Sequence, residues 1–160
     1  MTARTTIASP LGDLHLVGEQ TADGLTLTAL SMRGTPAGRP TAPFADVIDQ
    51  LEAYFAGERT HFDIRFTAGG TDFQQRVWRE LDEIPYGTTT TYGALAARLG
   101  LPRDRIQALG AAIGANPLLV VRPCHRVIGA DGSMRGYAGG VERKVRLLTH
   151  EGALQPALLP

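Results

Sequence analysis

The sequence of 160 residues holds a single cysteine, Cys124. One thiol forms no internal disulfide and supplies no thiolate-rich zinc site. No apolar run approaches the length of a membrane span, and no charged-then-apolar leader opens the chain, so a soluble, cytoplasmic protein with no membrane partner is expected. Walker loops, dinucleotide fingerprints and clustered metal ligands are also missing, so neither a cofactor nor a metal is expected. His15 and His61 stand on strand-patterned segments with no second ligand at a usable spacing, and read as ordinary surface residues. Net charge is missing too, at a formal value of zero, which by itself argues against a nucleic-acid partner. Its distribution argues the other way: residues 1–97 carry 7 arginines against 12 carboxylates, net −5, and residues 98–160 carry 9 basic against 4 acidic residues, net +5. A basic C-terminal half suits phosphate contacts, and a merely dipolar surface accounts for it equally well.

What is present divides the chain. Thr5-Thr6-Ile7, Leu14 to Gly18 and Leu25 to Leu30 are strand-like and separated by turn residues, which predicts an antiparallel β-meander. Residues 32–42, rich in Gly, Pro, Thr and Arg, predict a loop. Phe44, Val47, Ile48, Leu51 and Tyr54-Phe55 repeat with a helical period that ends near Gly57, and Phe62, Ile64 and Phe66 then alternate as in a short strand. Thr71 with Gln74 three residues on has the pattern of a capping box, opening a helix that buries Phe73, Val77, Trp78 and Leu81 and stops before Pro85. Thr91 caps a short helix from Tyr92 to Leu99, Gly100 ends it, and Pro102 fits the first turn of a helix reaching about Ala115. Two short helices around a tight turn form a helix-turn-helix pattern. The second is rich in small residues, Gly110, Ala111, Ala112, Gly114 and Ala115, which suits either tight helix packing or close approach by another backbone.

The stretch from Asn116 to Tyr137 carries the chemistry. Leu118-Leu119-Val120-Val121 reads as a buried strand or core segment between Pro117 and Pro123, and Cys124 sits where it ends. A lone cysteine is commonly a small buried hydrophobe. It becomes a strong nucleophile as thiolate, and His125 with the flanking Arg122 and Arg126 are the groups that would favour that form.

Pro123-Cys124-His125-Arg126-Val127-Ile128, preceded by Asn116-Pro117 and followed by Gly136-Tyr137-Ala138-Gly139-Gly140, Lys144, Leu147-Leu148 and Glu151-Gly152, closely resembles the active-site region of the O6-alkylguanine-DNA alkyltransferases. The match extends upstream through Phe73 to Trp78, Ile84-Pro85-Tyr86-Gly87 and Thr91-Tyr92. The resemblance implies an α+β protein: a ribonuclease-H-like N-terminal β-meander with a helix over residues 1–70, a mostly helical, winged-helix-like DNA-binding and alkyl-acceptor domain over 71–152, and an unstructured tail over 153–160. It also implies a monomer that acts on double-stranded DNA carrying O6-alkylguanine and transfers the alkyl group to Cys124 once per molecule. Some members carry an N-terminal structural zinc, for which this chain lacks the cysteines.

By the same resemblance, His125 takes the thiol proton through an ordered water, Glu151 orients His125, Asn116 holds the turn after the helix, and Tyr92 donates to the guanine ring. The carbonyls of Cys124 and Val127 accept from the guanine amino group, and Tyr137, Ala138 and Gly139 form a wall over the flipped base with Lys144 near Tyr137. Arg126 counts with this substrate side. The small-residue helix, with Gln107, Ala108 and Gly110, enters the minor groove. Two departures stand out. Alanine at 138 replaces the usual serine, removing a hydroxyl directed at guanine O6. The arginine that usually intercalates nine positions before Asn116-Pro117 is Gln107 here, so either Gln107 or the nearby Arg105 fills the gap. A turnover cysteine hydrolase would use the same Cys-His-Glu set, but no oxyanion-hole motif accompanies it.

Overall fold

Alternating side chains in three N-terminal segments produce β1 (Thr2–Ile7), β2 (Leu14–Thr21) and β3 (Gly24–Ser31), an antiparallel sheet in the order β1-β2-β3. The computed structural model describes residues 1–38, 41–134 and 136–154. Residues 39–40 of the expected loop and 155–160 of the expected tail lie outside the described residues. Leu14 and Leu16 of β2 and Leu27 and Leu30 of β3 are fully buried on one side of the sheet; the first pair keeps a period of two, and the second is three apart because Thr28 is an extra residue between them. The register passes from Val17 opposite Ala29 to Gly18 opposite Leu27, so Thr28 makes a bulge in β3. A 3₁₀ turn, Ala42–Phe44, leads into α1 (Ala45–Phe55), which buries Val47, Gln50, Leu51 and Tyr54.

The residues fall into two units. The first holds Met1–Gly69 and Pro117–Val121, the second Gly70–Asn116 and everything from Arg122 on. Two sequence expectations change in the first unit. The alternation of Phe62, Ile64 and Phe66 does not give a strand. Only Phe66 bridges to β3, where Leu27 donates to the Arg65 carbonyl and accepts from the Thr67 amide. The reason is Gln50, whose side-chain amide takes both the N–H and the carbonyl of Asp63, at 2.8 and 3.0 Å, and so removes them from any ladder. The run Leu118 to Val121 is core, with Leu118, Leu119 and Val120 buried, but it is no strand. Leu118 makes one bridge to Leu30, and the chain then folds into a γ-turn, Val121 N–H to Leu119 carbonyl at 2.8 Å, around Val120 at φ 69°. A β-branched residue at positive φ is strained.

In the second unit α2 (Asp72–Asp82) starts with both halves of the Thr71–Gln74 capping box in place. Trp78 Nε1 donates to the Ala112 carbonyl at 2.9 Å, joining α2 to α4 (Ile106–Gly114). β4 (Thr90–Thr91) leads directly into α3 (Tyr92–Arg98), capped by the Thr91 side chain. Gly100 at φ 69° closes α3 in a Schellman motif, with Leu101 N–H to Ala96 O and Gly100 N–H to Ala97 O. α4 packs against both α2 and α3. Its start differs from expectation: Pro102 is extended, residues Arg103–Arg105 form a 3₁₀ turn, and the α-helix begins only at Ile106. No side chain caps either start, so the first turn tightens to i→i+3 bonds instead. β5 (Val127–Ile128) pairs parallel to β4, and α5 (Val141–His150) completes the unit.

Candidate active site

Two local devices deliver the thiol. Pro123, at φ −81° and ψ 55°, forms an inverse γ-turn in which the Cys124 N–H donates to the Arg122 carbonyl at 2.8 Å. Asn116, one residue beyond the C-cap of α4, spreads its amide across the same turn: Nδ2 donates to the Arg122 carbonyl at 3.3 Å and to Cys124 Sγ at 3.2 Å. Asn116 therefore both holds the turn and touches the sulfur. β5 follows at once, and its register sets Thr91 opposite Ile128. Tyr92 at the start of α3 is thereby placed on the same side of the unit as the cysteine segment. Its phenol oxygen lies 3.0 Å from where a Cβ on Gly136 would stand, so it borders the Tyr137 loop.

α5 supplies the remaining groups from one stripe. Lys144, Leu147, Leu148 and Glu151 are all buried and spaced i, i+3, i+4, i+7. A lysine and a glutamate thus flank an apolar pair on the inward face. Glu151 is the C-cap residue of α5, fixed by the Schellman turn at Gly152, φ 74°, in which Ala153 N–H meets Leu148 O. A carboxylate there opposes the helix dipole and is buried as well, so it requires cations. Arg126 provides one in a fork: Nε to Oε1 at 2.8 Å and an Nη to Oε2 at 2.9 Å. His125 Nε2 adds a third bond, 2.8 Å to Oε2.

That arrangement sets the histidine tautomer. An ionised Glu151 only accepts, so His125 carries its proton on Nε2 and leaves the Nδ1 lone pair for a proton. Nδ1 is buried and has no hydrogen-bond partner among the described residues. Burial lowers the His125 pKa below 6.5 against the opposing pull of Glu151, so the ring is neutral at pH 7. The thiol moves the other way. Burial pushes Cys124 up to about 11, although the Asn116 hydrogen bond and the charges of Lys144 and Arg122 draw it back. Burial likewise lowers Lys144, and Cys124 opposes that shift. The resting site is therefore a thiol beside a neutral base.

This revises one expectation: the flanking arginines do not yield a standing thiolate. Arg122 is buried, its guanidinium bound to Asp82 at 3.0 and 3.4 Å and lying over Trp78 at 5.1 Å. Arg126, counted above with the substrate side, is also corrected. It is 7% exposed and committed to Glu151 and the Ile84 carbonyl, so it faces inward. Nothing in the sequence marks this pairing, because Arg126 and Glu151 stand 25 residues apart.

Of the other expected site residues, Val127 and Gly139 are buried, Ala138 is exposed, and Tyr137 is buried with its ring edge-on to His125 at 6.4 Å between centroids. Gln107, Ala108 and Gly110 lie in the first half of α4, away from its Asn116 end. Gln107 is exposed, and Ala108 and Gly110 are half-buried. Arg105 is exposed at the N-cap of α4, with its guanidinium 4.9 Å from the centre of the Phe73 ring. No cluster of three or more metal-binding side chains occurs among the described residues.

A family model described as 6-O-methylguanine DNA methyltransferase, DNA binding domain, matches residues 72–153, and one described as the ribonuclease-like domain of the same methyltransferase matches residues 3–68. A methylated-DNA–protein-cysteine methyltransferase of Mycobacterium bovis is 46% identical over 159 residues, covering 95% of this chain and 93% of its own. The crystal structure of the Mycobacterium tuberculosis O6-methylguanine methyltransferase matches with a TM-score of 0.84 at 45% identity, covering 98% of this chain and 96% of that one. A structure of Mycobacterium tuberculosis OGT in complex with DNA gives 0.84 at 45% identity, with 96% and 95% covered. With both halves of the sequence matched in order and nearly the full length shared, this chain belongs to the 6-O-methylguanine DNA methyltransferase family.

Proposed function

We propose that this protein repairs DNA by direct reversal, taking the alkyl group of an O6-alkylguanine onto Cys124 in a single irreversible transfer. The observation that carries the reading is the thiol itself: Cys124 Sγ is buried, held by Asn116, and followed by a neutral histidine whose Nδ1 is open to a proton. The thiol proton passes to Nδ1 as sulfur attacks the alkyl carbon. The S–C bond forms, the C–O6 bond breaks, and its electron pair leaves on guanine. Glu151 steadies the imidazolium formed, and the proton returns to the base, so thiol plus O6-alkylguanine become thioether plus guanine. Tyr92 donates to the leaving ring. The thioether is chemically stable, so each molecule acts once.

A guanine inside a duplex is out of reach of a buried thiol, so the base must be flipped, at a cost of a few kcal/mol. The exposed side of α4 suits the minor groove: Ala111 and Gly114 add almost no bulk, and Gln107 is the single longer side chain among the exposed residues of the helix. Gln107 fills the space left by the flipped base, since Arg105 is engaged by Phe73. The carbonyls of Cys124 and Val127 receive the guanine amino group, and Tyr137 to Gly139 close over it, with a main-chain amide in place of the hydroxyl that Ala138 lacks. The protein works as a cytoplasmic monomer.

Intact mass after incubation with an oligonucleotide duplex containing O6-methylguanine tests the reading, with Cys124→Ser as control. One added methyl, located on Cys124 and stopping at one equivalent, is expected. Guanine release beyond one equivalent, or binding with no mass change, overturns it.

A further inference from the structure

His125 Nδ1 and Tyr137 Oη are both buried, and neither has a hydrogen-bond partner among the described residues. Their rings meet edge-on at 6.4 Å. Buried polar atoms are almost always satisfied, and a water with two to four polar neighbours is the ordinary means. We propose that one bound water joins Tyr137 Oη to His125 Nδ1, and that the Tyr137 hydroxyl is the positioning group that holds this water for proton transfer out of Cys124. The inference rests on the alkyl-transfer reading above.

The steps balance without another reagent. Sγ–H gives its proton to the water as the water passes one of its own to Nδ1. The water ends unchanged, and the Tyr137 O–H donates to it throughout. A tyrosine suits this place because it must remain a donor. Burial, with Glu151 nearby and Cys124 able to turn anionic during transfer, keeps its phenol from ionising. The ionisable groups around the pair are Cys124, Glu151, Arg126, Lys144 and Arg143. Fixed in this way, the water has one orientation toward the imidazole lone pair. A loop that only covered the base would need the aromatic ring and not the hydroxyl.

Tyr137→Phe separates those roles, because it removes one oxygen and keeps the ring. Two rates are followed against pH: methyl transfer from the modified duplex, and alkylation of Cys124 by iodoacetamide without DNA. Duplex affinity and the melting temperature are measured alongside. Tyr137→Phe is expected to slow both reactions about tenfold, one hydrogen bond's worth, and to shift the acid limb of both profiles to higher pH, with affinity for unmodified duplex within about twofold. Unchanged rates, or slower transfer with an unshifted acid limb and normal iodoacetamide reaction, overturn the inference. Wild-type protein that takes up no methyl overturns the alkyl-transfer reading instead, whatever the variant does.

Discussion

The two units bury different chemistry. Among the described residues of the first, Thr5 and Gln50 are the buried polar side chains, and the rest of its core is apolar. The second buries Asn116, Arg122, His125, Arg126, Lys144 and Glu151, and Lys144 is the chain's one lysine. Burying charge costs solvation that pairing recovers only in part, and well-packed apolar residues commonly do as well. A unit shaped for stability alone would resemble the first. The second instead holds charges where they act on one thiol: Arg126 fixes Glu151, Glu151 fixes the His125 tautomer, and Lys144 draws on Cys124.

The sharpest break in that comparison is Cys124→Ser, which removes all methyl uptake by intact mass while the fold, by circular dichroism, and duplex binding remain. Glu151→Gln comes next, because it strips the partner from two groups. Transfer should slow by a factor of about 100 or more, and stability should fall by about 3–5 kcal/mol from the uncompensated Arg126, read by single-turnover kinetics and urea titration. Gln50→Ala is its counterpart in the first unit. It frees the Asp63 backbone groups at about 1 kcal/mol and should leave the transfer rate untouched. A rate loss from Gln50→Ala would erase the division of labour.

Acid separates the units more gently. Burial holds the folded His125 pKa below 6.5, so the unfolded chain takes a proton first as pH falls. Stability present above about pH 6.5 is therefore lost as pH drops toward the folded value, and transfer fails in the same direction as the imidazole protonates. His125→Gln should remove that part of the slope in a pH series of urea midpoints. The smallest effects fall on α4. Gln107→Ala is expected to slow transfer from duplex several-fold without altering iodoacetamide reactivity. Arg105→Ala should cost about 0.5–1 kcal/mol through lost contact with Phe73 and change transfer less than Gln107→Ala does.

Features settled within a few residues were legible in the sequence. The Thr71–Gln74 box, the Thr91 cap, the Gly100 stop and the Pro-Cys-His segment all lie where their spacing placed them. What depended on distant partners was not. A strand period at Phe62 to Phe66 gave way because Gln50, thirteen positions from Asp63, takes the backbone groups that a ladder needs. Hydrophobic periodicity reported that Leu118 to Val121 is buried but not that it turns twice before Cys124. Charge type was readable at Arg122 and Arg126, but direction was not, since Asp82 and Glu151 decide it from 40 and 25 residues away.

The γ-turn at Val120 bears on how far such a protein can be re-engineered. Val120 is 1% exposed and sits at φ 69°, so glycine there relieves the backbone but loses buried methyl groups and adds chain entropy. Position 120 thus offers no easy improvement, and the segment ahead of the thiol has little slack to exchange. Ala138 is exposed and carries no such constraint. Variants meant to accept bulkier alkyl groups should therefore be sought by changing Ala138, leaving the approach to the sulfur as it stands.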